Sequence, residues 1–110
     1  MEAPRLQIKE EILLAKQSRQ EGNEGRARVC ARRAAGAAVK EYLIQKGTSQ
    51  KGENAIQSLL IFRQSKKLPL RVQEAVDWLI QRVNQDYNLP SEVDLIHEAG
   101  VVIDFVELNK

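Results

Sequence analysis

The chain has 110 residues, a formal net charge of +2, and 43% hydrophobic against 29% charged residues, which describes one soluble globular domain able to bury a core without staples. Its single cysteine, Cys30, excludes an internal disulfide and a thiolate zinc cluster and is expected to act as a small buried hydrophobe. No apolar run reaches the roughly eighteen residues of a membrane span, and the acidic N-terminus lacks the layout of a signal peptide, so a cytoplasmic chain is expected.

Aromatic residues are few, namely Tyr42, Phe62, Trp78, Tyr87 and Phe105. Leu, Ile, Val and Ala must therefore fill the core, which suits helices packed on helices. The first segment, residues 4–20, sets Ile8, Ile12, Ala15 and Arg19 along one helical stripe and Leu6 and Leu13 along another. Gly22, Asn23 and Gly25 then interrupt the pattern, and a link this short makes neighbouring helices antiparallel.

A second helix is predicted over 24–45, stopping at Gly47, with Lys46 where a cation suits the helix dipole. Its middle, Ala31 to Ala38, carries small side chains on nearly every face. Gly36 costs roughly 1 kcal/mol relative to alanine inside a helix, so close backbone packing is its expected reason. This is the expected central helix. Residues 48–53 are polar and glycine-containing, a loop.

A shorter amphipathic helix follows over 54–64, with Ile56, Leu59, Leu60 and Arg63 at helical spacing, and the run from Ser65 to Pro69 ends it. Val72, Ala75, Val76, Leu79, Ile80 and Val83 then form one continuous stripe, with Trp78 about 100° off its centre. Residues 84–90 break that helix. Ser91 is the expected cap of the last helix, with Asp94 completing a capping box. That helix, 92–108, has two apolar faces. Leu95, Ala99, Val102 and Val106 form the main one, and Val101, Phe105 and Leu108 the other.

Charge is unevenly spread. Seven bases and one acid, Glu41, lie between Arg26 and Lys51, whereas three bases and eight acids run from Arg71 to the end. Such a basic segment faces either phosphate or the acidic helices of its own fold. Arg28 and Arg32, one turn apart, share a helix face, and Arg26 and Arg33 share another. Arginine suits phosphate because its planar fork donates two parallel hydrogen bonds. The other reading pairs these arginines with Glu10, Glu11, Glu21 or the C-terminal acids. Few aromatics interleave with them, which speaks against a single-strand stacking site.

His97 is the only histidine, and Asp94 lies one turn before it, too few ligands for a metal site. No metal or cofactor is expected. Trp78, near Arg71, Arg82 and Ala75 along its helix, either packs under another helix or meets a partner. Val101, Phe105 and Leu108 have the same two readings. No glycine-rich phosphate loop, nucleophile elbow or paired-carboxylate arrangement occurs.

Three stretches carry a resemblance to a known superfamily. The alanine-rich helix from Ala34 to Leu43, ending in Gln45-Lys46-Gly47, is the first. Asn54-Ala55-Ile56-Gln57-Ser58-Leu59-Leu60 is the second, and Arg82 to Pro90, with Tyr87 in its loop, is the third. In this order over nearly the whole chain they resemble the HEPN (higher eukaryotes and prokaryotes nucleotide-binding) superfamily. The resemblance implies an all-α antiparallel up-and-down bundle of four main helices and one short one, commonly a homodimer.

Catalytic relatives use an arginine and a histidine a few residues apart on RNA, the histidine moving protons and the arginine holding charge. Here Pro90, Ser91 and Glu92 stand at those positions before His97, and Asn54 replaces a histidine in the second stretch. The expectation is therefore a non-catalytic binding module for nucleotide, RNA or a partner such as a nucleotidyltransferase. Arg28, Arg32 and Arg33 would hold phosphate, and Trp78, Val101, Phe105 and Leu108 would form an interface. The alternative is a homodimeric interaction scaffold with no nucleotide ligand.

Overall fold

The computed structural model describes residues 2–47, 54–65, 67–81 and 93–109. Five helices account for its regular structure: α1 Glu2–Gln20, α2 Glu24–Gln45, α3 Ala55–Arg63, α4 Leu70–Ile80 and α5 Leu95–Leu108. No strand occurs among the described residues, and no described helix is long and apolar enough to cross a membrane. The loop read at 48–53, Val83, the 82–90 stretch and the Ser91 cap lie outside the described residues.

The link between α1 and α2 reverses the chain through Gly22, whose φ of +81° lies in the left-handed region that glycine enters freely. Asn23 then caps α2, its side-chain oxygen accepting from the Arg26 N–H at 3.0 Å. Ion pairs join Arg19 to Glu24 and Arg33 to Glu11, so positions climb on one helix as they fall on the other. The pair is antiparallel. α2 ends where its sequence signals placed the end, with the Lys46 N–H donating to the Tyr42 carbonyl at 3.0 Å and Gly47 at φ +76°.

α2 is the hub, packing against α1, α3 and α5. Ala27, Ala31, Ala34, Ala35 and Ala38 are buried along it, as is Cys30, a free thiol. Gly36 meets the start of α3, where an added Cβ would stand 2.5 Å from the Ala55 Cβ and 2.6 Å from its Cα. Only a glycine lets the two backbones approach so closely.

The short helix also departs from a simple alternation of directions. Ala55 lies against Gly36 and Phe62 against Tyr42, ring centroids 5.6 Å apart, so α3 runs alongside α2 in the same sense. The chain between the two is long enough to return to the middle of α2 before α3 begins. Phe105 of α5 closes an aromatic cluster with Tyr42 and Phe62 at 6.3 and 6.1 Å.

α5 begins at Leu95, later than the start at 92 that a Ser91 cap implied, and its cap is Asp94. The Asp94 carboxylate accepts from the Ile96 and His97 amides at 3.0 and 3.3 Å. It thus performs the capping expected of Ser91, and as an anion it also complements the helix dipole.

The two glycines inside helices have opposite surroundings, and substitution separates them. Gly36→Ala forces the Ala55 backbone to move, and we expect it to cost about 2 kcal/mol, lowering Tm by about 10 °C. Gly100→Ala meets open space and should gain about 1 kcal/mol from helix propensity. Thermal melts of the two variants check this. Shifts of the same sign would contradict the packing described.

Candidate functional site

The three arginines singled out on α2 do not converge. Arg28 and Arg32 share one face, as their spacing requires. Arg28 is half-buried, its Nε 3.7 Å from the Glu24 carboxylate one turn earlier. Arg33 points to another side, 60% exposed, with Nη1 3.9 Å from Glu11 on α1. There it lines a pocket of about 560 Å³ of mixed polar and apolar character, with Lys40, Asn54 and Ser58 among its residues.

Arg32 has the most unusual environment. Its Nε donates to the Leu79 carbonyl at 2.6 Å, in the last turn of α4, where carbonyls lack helical partners and carry partial negative charge. α4 has no basic residue of its own in that turn, so Arg32 supplies the cation from α2. Burial, and then the neighbouring charge of Arg28, push the Arg32 guanidinium below its ordinary value. It forms no ion pair among the described residues, and no buried polar atom lacks a partner. Its two Nη nitrogens have no hydrogen-bond partner among the described residues.

Arg19 is a residue that sequence reading placed on the core stripe of α1 without assigning it a task. At the end of α1 it bonds Glu24, at the start of α2, through Nε and Nη2 at 3.0 and 2.8 Å. Its Nη1 reaches Asp94, the cap of α5, at 2.9 Å. One guanidinium thus ties three helix ends together. Asp94 standing just before the first apolar residue of α5 was a legible capping signal; its pairing with Arg19 had no local signal.

The proposed interface residues also separate. Phe105 is half-buried in the aromatic cluster, and Trp78 is half-buried against the core. Val101 is half-buried beside α1, and Leu108 is 85% exposed. Arg71 does not accompany Trp78: it forms a double hydrogen bond to Glu98 at 2.8 and 2.6 Å, and that carboxylate's side chain is only 8% exposed. His97 is exposed, with Asp94 engaged in capping. Among the described residues no three His, Cys, Asp or Glu side chains gather.

Comparison with protein-family models, curated proteins and solved structures finds no match to this chain.

The Arg19 clasp sets a pH dependence. Glu24 is held below its ordinary value chiefly by the hydrogen bond from Arg19. For Asp94, burial pushes upward but is outweighed by Arg19 and the His97 and Ile96 amides, so it too lies low. The unfolded chain therefore binds more protons in acid. The contribution is complete above the ordinary carboxylate values of about 4 and fades as pH falls through the lowered folded values. Arg19→Met should lose stability at neutral pH and show a flatter fall of Tm below about pH 4. Parallel curves for variant and wild type would show that Arg19 does not hold these carboxylates down.

Proposed function

We propose that this chain is a non-catalytic, HEPN-like binding module that takes a phosphate-bearing ligand, a nucleotide or RNA, on the Arg28–Arg32 face of α2. The reading rests on one observation above the others: a half-buried guanidinium beside a second arginine, with neither its Nη nitrogens nor its charge partnered among the described residues. A phosphate oxygen there would accept from a planar fork already oriented by the Leu79 carbonyl. Arg33, on the other side of α2, is not part of this site.

The absence of an arginine at the three positions before His97 supports binding without cleavage. RNA incubated with the protein at high concentration should stay intact. A partner that itself handles nucleotides, such as a nucleotidyltransferase, fits the same reading.

Affinity for short single-stranded RNA tests it. Two cationic contacts give a slope of about −1.4 for log K against log salt, and losing one reduces it by about 0.7. A ligand at about 100 times its Kd should also raise Tm by about 10 °C. Arg28→Gln/Arg32→Gln, which keeps a donor for the Leu79 carbonyl, should abolish both effects while remaining folded. Equal binding by the double variant would place the ligand elsewhere.

The second reading is a homodimeric scaffold without nucleotide, favoured by the exposure of Leu108 at the end of α5. On that reading sedimentation shows a dimer that Val101→Asp splits. A monomeric wild type would remove it.

A further inference from the structure

A trough of about 700 Å³ runs between α1 and α5, and among the described residues its lining comes from those two helices. Ile8, Ile12, Ile96 and Ile103 make it apolar, and Leu13 on its edge is 56% exposed. Nothing from α2, α3 or α4 covers it.

Gly100 stands in this trough. A glycine inside a helix is disfavoured relative to alanine, and at Gly36 the reason is contact with Ala55. At Gly100 a Cβ would meet nothing within 4 Å. No neighbour within the described chain requires the missing side chain, but a backbone approaching from outside would.

The trough also has a charge pattern. Lys9 and Lys16 flank it on α1, two turns or roughly 10 Å apart. Neither forms an ion pair among the described residues, whereas Arg19, Arg28, Arg33, Arg63 and Arg71 all do. Across from them stand Asp104 and His97. With a neutral histidine, two lysines face one aspartate.

We propose that this trough receives the apolar stripe of an acidic amphipathic helix from a partner protein. A convex helix fills a concave apolar trough, its large side chains entering at three- and four-residue spacing. Its carboxylates, two turns apart on one flank, meet Lys9 and Lys16, and its backbone passes over Gly100. A second copy docking through the same face is the poorer occupant. A two-fold interface pairs each patch with itself, which would set one hollow against another. The proposal is independent of the anion site, which lies on the Arg28–Arg32 face of α2, so either can fail without the other.

The test uses a fluorescent designed peptide of about eighteen residues, roughly 27 Å of helix. It carries leucines at helical spacing and glutamates on one flank, and a second peptide carries lysines instead. By fluorescence anisotropy the glutamate peptide should bind at least roughly tenfold more tightly. Gly100→Leu, which fills the trough, should weaken binding by roughly tenfold or more, with a thermal melt showing that the variant is folded. Lys9→Glu/Lys16→Glu, at two exposed positions, should reverse the preference and provides the decision if Gly100→Leu unfolds. Equal binding of both peptides, no binding of either, or a reversed pair of lysines without reversed preference overturns the proposal. So does a wild-type dimer that Gly100→Leu dissociates, which would make the occupant a second copy.

Discussion

The architecture depends on how little side-chain volume α2 carries. Its buried face is built largely of alanine, with Gly36 where α3 crosses closest. Alanine loses no side-chain entropy in a helix, so the hub is inexpensive to order, but it also buries little apolar area. The driving force must come from what the neighbours bring. Leu59 and Phe62 on α3, Leu79 on α4 and Leu95 and Val102 on α5 are all fully buried, and each is worth about 1.5–3 kcal/mol in area removed from water. The thin helix lets those larger side chains reach one another around it. Tyr42, one of the few bulky residues of α2, meets Phe62 and Phe105 at one end of it.

Polar tethering follows the same geometry. Close helices bring their ends together, and helix ends carry unsatisfied groups. Arg19 meets two N-terminal carboxylates, Glu24 and Asp94, and Arg32 meets a C-terminal carbonyl. Arg71 reaches from the start of α4 to the buried Glu98 of α5. Each of these arginines works at a boundary between elements. That is also why the basic and acidic halves of the chain are not simple counterparts: only some arginines find carboxylates, and Arg32 finds a backbone oxygen.

Features governed by neighbours in sequence were legible. The bounds of α2, the breaks at Gly22 and Gly47 and the reason for Gly36 could all be read from spacing and residue type, because caps and packing glycines leave local signatures. The start of α5 was misread because Ser91 was taken as its cap, whereas Asp94, directly before the first apolar residue, caps it. The direction of α3 could not be read, since a short helix after a long link carries no orientation signal. Least legible was the site. Arg32 and Leu79 are 47 residues apart and Arg19 and Asp94 are 75 apart, and periodicity on one helix says nothing about which carbonyl a neighbour will present. The face shared by Arg28 and Arg32 was visible; the lack of a carboxylate on Arg32 among the described residues, and the departure of Arg33 toward α1, required the packed chain.

The Arg19 clasp also implies an order of assembly. Its bond to Glu24 closes a span of 5 residues, whereas its bond to Asp94 closes 75. Loop-closure entropy makes the longer contact dearer by about 2 kcal/mol before anything else is counted. The α1–α2 hairpin, whose contacts are local, is therefore the part that can form early. It presents the Arg19 guanidinium, already steadied by Glu24, to a fifth helix that has yet to arrive. On that order the cap of α5 docks onto a charge positioned in advance rather than onto a blank surface.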